Sequence, residues 1–170
     1  MNSIQRIIGV DPGLNNTGFG ILDYRGSKIK VVAYGLITPP AKQSVPNRLE
    51  YLNSHMNDLI DKFSPMSMAI EDSFYSQNVK SAILLGQARG VLLLSASSKG
   101  IPSVVYAPRK VKQSVTGSGS SSKEQVKYMV EKILKIDKDI SSLDITDALA
   151  IGLCLSLIHI SEPTRPLYIS

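Results

Sequence analysis

Three β-branched runs divided by turn residues open this chain, and no helical pattern intervenes before Val45. Ile7, Ile8 and Val10 form a short run stopped by Asp11-Pro12-Gly13, and Thr17 to Leu22 and Lys28 to Ile37 predict two more strands joined at Arg25-Gly26-Ser27. Connections this short leave no room for a crossover, so the three strands must form an antiparallel meander. Pro39-Pro40 ends it. Beyond that break Leu49, Leu52, Met56, Leu59, Ile60 and Phe63 recur at helical spacing within Val45 to Phe63, closed by Pro65. Met66 to Ile70 predicts a buried strand, Val79 to Ser98 a long helix with Gly86 and Gly90 on one face, and Val104 to Tyr106 a last strand. Helices follow at Arg109 to Thr116, at Lys123 to Leu134 and from Thr146 onward, with the loop GSGSSS between the first two. A meander, then alternating helix and strand, then helices, is the order of an α/β fold: a mixed five-stranded sheet flanked by helices.

At 170 residues with 43% apolar side chains, the chain supplies one domain core and no second one. Cys154 is its only cysteine, so no internal disulfide or thiolate-rich zinc site can form, and a bound metal would need oxygen ligands. No uninterrupted apolar run approaches the roughly 18 to 20 residues of a membrane span, and Met1 to Arg6 lacks the pattern of a secretory signal, so a cytoplasmic protein is expected. The formal net charge is +5, and the basic excess is concentrated. Between Arg109 and Lys135 lie Arg109, Lys110, Lys112, Lys123, Lys127, Lys132 and Lys135 against only Glu124 and Glu131. Such a segment is either a solvated helix face or a surface for a polyanion. Residues 158–170, with Pro163 and Pro166, do not continue the helical pattern, and SEPTRP resembles the translation of a sequencing adapter. The expected domain is therefore 1–157, followed by an irregular, non-native stretch at 158–170.

Four carboxylates occupy positions where carboxylates are costly. Asp11 ends the first apolar strand, Glu71 ends the second buried one, and Asp144 and Asp147 stand at the start of the apolar helix ITDALAIGLCL. Asp144 can also be read as a helix cap; Asp147, followed by Ala148 to Ile151, fits that role less well. Clustered carboxylates repel one another unless cations neutralise them, which points to a Mg²⁺ or Mn²⁺ site. Two such ions can activate water and stabilise the leaving oxygen in phosphodiester hydrolysis. A competing reading of VDPGLNNTGFG is a backbone cradle for phosphate between two strands, with Gly13 and Gly18, as in actin-like ATPases. Those enzymes need two large lobes, for which this chain is too short.

Four segments in order resemble the RuvC family of Holliday junction resolvases: VDPGLNNTGFG (Val10 to Gly20), IEDSFYSQNVKSAILLGQARG (Ile70 to Gly90), APRKVKQSVTGSGSSSKEQV (Ala107 to Val126) and DITDALAIGLC (Asp144 to Cys154). The resemblance covers about Ile7 to Leu157. It implies a ribonuclease H-like fold, a homodimer acting on four-way DNA junctions, and symmetric nicking of two strands with two Mg²⁺ ions per site, Mn²⁺ being the alternative ion. It also implies the branch-migration proteins RuvA and RuvB as partners in DNA recombination and repair. By position, Asp11, Glu71, Asp144 and Asp147 resemble the family's metal-binding quartet, with Asp11 between the ions and Glu71 beside the attacking water. Lys112 and Lys123 match lysines that position or stabilise the scissile phosphate. A lysine in the first turn of a helix opposes the helix dipole, which argues mildly against a purely structural Lys123.

Phe74 resembles the aromatic that stacks on a base at the opened junction, with Tyr75 assisting; the alternative is a loop aromatic tucked against apolar neighbours. The LGQARG helix resembles the dimer-forming element, so Gly86, Ala88 and Gly90 are expected to serve close packing. Arg89, Lys80 and Arg109 are the remaining phosphate candidates. His55, His159 and Cys154 are read as non-catalytic. The runner-up functions are a ribonuclease H-like nuclease on another branched nucleic acid and a junction-binding protein without activity.

Overall fold

The computed structural model describes residues 3–72 and 78–161. The meander is present as β1 (Gln5–Asp11), β2 (Thr17–Arg25) and β3 (Lys28–Ile37). It is followed by α1 (Val45–Phe63), β4 (Ser67–Glu71), α2 (Val79–Ser98), β5 (Ser103–Tyr106), α3 (Pro108–Thr116), α4 (Lys123–Leu134) and α5 (Leu143–Ser161). The five strands form one sheet in the order β3-β2-β1-β4-β5. β1 pairs antiparallel with β2 and parallel with β4, and β4 pairs parallel with β5.

Period-two alternation along the central strands sorts their side chains between two cores. Ile8, Val10, Met68 and Ile70 face α1 and α2, in a core with Leu52, Met56, Ile60, Ala88 and Leu92. Ile7 and Ala69 face the other way, into a core with Val111, Val130, Leu149 and Leu153 from α3, α4 and α5. Continuing the alternation, Gly9 and Asp11 lie on the face of Ile7, and Glu71 on that of Ala69. Both strand-end carboxylates therefore project toward α5. Because β1 and β4 are parallel neighbours, with Val10 paired to Ile70, the two acids leave the same edge of the sheet.

α5 can lie directly on β1 and β2 because a glycine in each strand removes the side chain that would stand between them. A Cβ on Gly9 would overlap the Ala148 carbonyl and the Gly152 amide, and one on Gly18 would overlap the Asp144 carbonyl. The ends of the other helices are fixed locally. Ser44 caps α1 by accepting from the Asn47 amide at 3.4 Å, and Ser64 closes it in the left-handed conformation. Ser122 and Gln125 form a reciprocal capping box on α4, which sets where Lys123 begins the helix.

The expected bounds of the last helix need correcting. α5 starts at Leu143 rather than Thr146 and continues to Ser161, across the expected boundary at residue 157. Leu157 and Ile158 pack on the core beneath α5, and the His159 ring stacks on Tyr24 at 6.3 Å, so burial keeps the helix intact there. α2 is long and apolar enough, by length and composition, to cross a membrane. Lys80 and Arg89 interrupt its apolar run in the sequence, which is why counting uninterrupted residues passes over it. In the fold Ala88, Leu92 and Ala96 are buried, on the side of α2 that joins the core shared with α1.

Candidate active site

Asp11, Glu71, Asp144 and Asp147 line one open cavity of about 450 Å³, closed on its other sides by the turn Pro12 to Asn16, by Arg48 of α1 and by Leu84 and Leu85 of α2. A second cavity of about 170 Å³ shares Glu71, Asp147 and Lys123 with the first and adds Lys112, Val111 and Val126. Two strand ends and the first turns of α5 thus bring four acids, 136 residues apart at their extremes in Asp11 and Asp147, to one place. Asp144 lies inside the first turn of α5, not before it, so its position is not that of a cap.

The electrostatics show how closely the acids oppose one another. The Asp11 carboxyl is pushed up to about 8, first by burial and then by the charges of Asp147, Glu71 and Asp144, with Lys123 working against them. Glu71 is raised by burial and by Asp147, and eased by Lys123 and Lys112. Asp147 is raised by burial, while Lys123, 3.7 Å from its Oδ2, holds it down and Asp144 raises it again. Among the described residues no three acids close into a finished metal shell. The donor set nevertheless fits a hard divalent cation, since it is all oxygen, crowded with like charge and open to water. Mg²⁺ favours such sites, because it keeps several waters rather than a complete protein cage.

A pH effect follows. In the unfolded chain Asp11 titrates near the ordinary value of about 4. Folded, it holds its proton up to about 8. Between those values the folded state binds the extra proton, so metal-free stability should fall as pH rises through that window and level off above it. Thermal melts in a chelator at pH 5 to 8 should show the fall, and Asp11→Asn should remove most of it. Equal slopes in both proteins would contradict the assignment.

The other candidates separate. Lys112 is half-buried on the smaller cavity wall and Lys123 is exposed at the mouth shared by both cavities. Arg89 is paired: its Nη2 lies 3.3 Å from Asp72 Oδ1, and its Nε is buried without a partner among the described residues. Lys80 is exposed in the first turn of α2, and Arg109 is exposed with its side chain lying across Gly119. Phe74 and Tyr75 fall outside the described residues. Arg48, Asn15 and Asn16, which line the main cavity, were not singled out from the sequence. The dipole argument applied to Lys123 would have flagged Arg48, a cation in the opening turn of α1.

A mixed sheet in this order, flanked by helices and with acids at adjacent strand ends, is a ribonuclease H-like scaffold. The family model for crossover junction endodeoxyribonuclease RuvC matches residues 7–155. A crossover junction endodeoxyribonuclease RuvC from Finegoldia magna is 42% identical over 150 residues, 88% of this chain and 92% of that protein. One from Dictyoglomus thermophilum is 42% identical over 157 residues, 92% of this chain and 98% of that one. The structure of T. thermophilus RuvC in complex with a Holliday junction substrate superposes with a TM-score of 0.89 at 27% identity, covering 96% of this chain and 99% of that one. The chain belongs to the RuvC family of crossover junction endodeoxyribonucleases.

Proposed function

We propose that this chain binds four-way DNA junctions and resolves them by nicking two strands through Mg²⁺-dependent phosphodiester hydrolysis. The observation that carries the reading is the convergence of Asp11 and Glu71, from neighbouring parallel strands, on Asp144 and Asp147 of α5 around one open cavity. The names of its relatives and the junction complex of a similar structure support the substrate.

The four acids would hold the divalent ions, which when bound supply positive charge at the phosphate and a more acidic water. In the reaction a water oxygen bonds to phosphorus and one ester P–O bond breaks, leaving a phosphate on one strand end and a hydroxyl on the other. Glu71, raised above its ordinary value, is a stronger proton acceptor than an exposed glutamate and is suited to orient that water. Lys112 and Lys123 place positive charge beside the acids, where the attacked phosphate gathers extra negative charge. If Lys112 contacts a phosphate directly, Lys112→Ala should lower the slope of log affinity against log salt by about one. An unchanged slope with slowed cleavage would make it purely catalytic.

Symmetric nicking needs two sites, and α2 offers the face for a second copy. Val79, Ile83, Gly86, Gly90 and Leu94 form an exposed stripe along it, with open space above both glycines. Ile83→Glu should raise the dimer dissociation constant about tenfold or more, as read by sedimentation. An unmoved constant would place the interface elsewhere. RuvA and RuvB are the partners that the same reading proposes for delivering the junction.

Competition binding tests the substrate class. Unlabelled junction should displace labelled junction at far lower concentration than linear duplex or a three-way fork. Equal displacement by the fork would favour the broader reading of a nuclease on branched nucleic acids.

A further inference from the structure

The turn that follows Asp11 is held from two sides. Inside it, Thr17 Oγ1 donates to the Gly13 carbonyl at 2.6 Å and accepts from the Gly13 amide at 3.2 Å. Outside it, Arg48 reaches over from α1, where its own amide closes the first helical turn on the Ser44 carbonyl at 3.0 Å. One nitrogen of that guanidinium, Nη2, donates both to the Leu14 carbonyl at 3.0 Å and to Asn15 Oδ1 at 2.7 Å. A guanidinium can only donate, so the atom of Asn15 that it meets must be the amide oxygen. This fixes the orientation of the Asn15 amide. Its Nδ2 is left as a donor with no acceptor among the described residues, on an exposed side chain at the rim of the acidic cavity.

Arg48 itself is spent on the turn. It lines the same cavity as four carboxylates yet makes no ion pair among the described residues, and its Nε is buried without a partner. A lysine at the rim would be drawn to the acids, as Lys123 is to Asp147. An amide carries no charge and cannot be captured in that way, so it stays available to an incoming anion.

We propose that Asn15, oriented by Arg48, donates a hydrogen bond to a phosphate oxygen of the bound DNA at the edge of the catalytic cavity, Arg48 acting as its positioning residue. This rests on the reading that the chain binds DNA junctions.

The test is junction affinity without divalent ion, so that no strand is cut, for the unmodified chain, Asn15→Ala, Arg48→Lys, and the double variant. Asn15→Ala should weaken binding about tenfold, the scale of a hydrogen bond to a charged acceptor, with the salt slope unchanged because no charge is lost. Arg48→Lys keeps the charge but not the planar fork, so it should lose about as much, and the double variant no more than either. A single methylphosphonate moved along the strand should find one position that weakens the unmodified chain about tenfold and leaves Asn15→Ala unaffected. A structural role for Arg48 would not create that difference. If Asn15→Ala binds as the unmodified chain does, or if the two losses add, this inference is overturned alone. If the unmodified chain does not bind junctions, the junction reading falls, and this inference with it.

Discussion

Asp11→Asn should lower junction cleavage by at least about a thousandfold while leaving junction affinity intact or stronger. Asp11 sits at the end of β1 on the face turned to α5, and its carboxyl feels Asp147, Glu71 and Asp144 together. It is the acid most strongly opposed by its neighbours, and hence the one whose ionised form most needs a cation. Asparagine keeps the shape and removes a ligand and, in the cation-loaded site where Asp11 is ionised, one negative charge from a surface that must receive phosphate. Single-turnover cleavage and a parallel binding titration separate the two effects. Glu71→Gln and Asp147→Asn should act in the same direction. Cleavage near the unmodified rate in Asp11→Asn would remove Asp11 from the site.

Gly9→Ala should cost about 3 kcal/mol or more, a drop on the order of 10 °C in melting temperature, because the new methyl meets backbone and not a movable side chain. The atoms in its way are the Ala148 carbonyl and the Gly152 amide of α5, so relief requires the helix to lift from β1. Since α5 carries Asp144 and Asp147, cleavage should fall well beyond what partial unfolding explains when measured below the melting transition. Ala substituted at Gly86, above which the space is open, is the control and should leave the melting temperature of the isolated protomer nearly unchanged. Equal melting for Gly9→Ala and the unmodified chain would show that α5 does not seat on β1 in this way.

Much of this was legible beforehand, for identifiable physical reasons. The meander could be read because short turns permit only one pairing, and the four acids because each interrupts an apolar segment that a structural residue would have continued. The mixed sheet and the quartet's convergence followed once β1 and β4 were parallel neighbours with carboxylates at the same end. What the sequence hid depends on contacts between distant segments. The continuation of α5 to Ser161 rests on Leu157 and Ile158 meeting the sheet side of the core. The pairing of Arg89 with Asp72, 3.3 Å away, joins α2 to the end of β4 and has no signal in the sequence. Arg48 was passed over because its partners, Leu14 and Asn15, lie more than thirty residues earlier in the chain. Gly9 carries no signal in the sequence, since only the helix pressed against it gives that position its meaning.

Whether the acid cavity is the cutting site of a junction resolvase is decided by incubating a mobile four-way junction, each strand labelled in turn, with protein and Mg²⁺ and mapping the nicks. Paired nicks are expected at symmetry-related positions on two opposing strands, with none in the absence of divalent ion and none with Asp11→Asn. Nicks scattered over all four strands, cutting of linear duplex at the same rate, or cleavage that persists in Asp11→Asn would contradict that assignment.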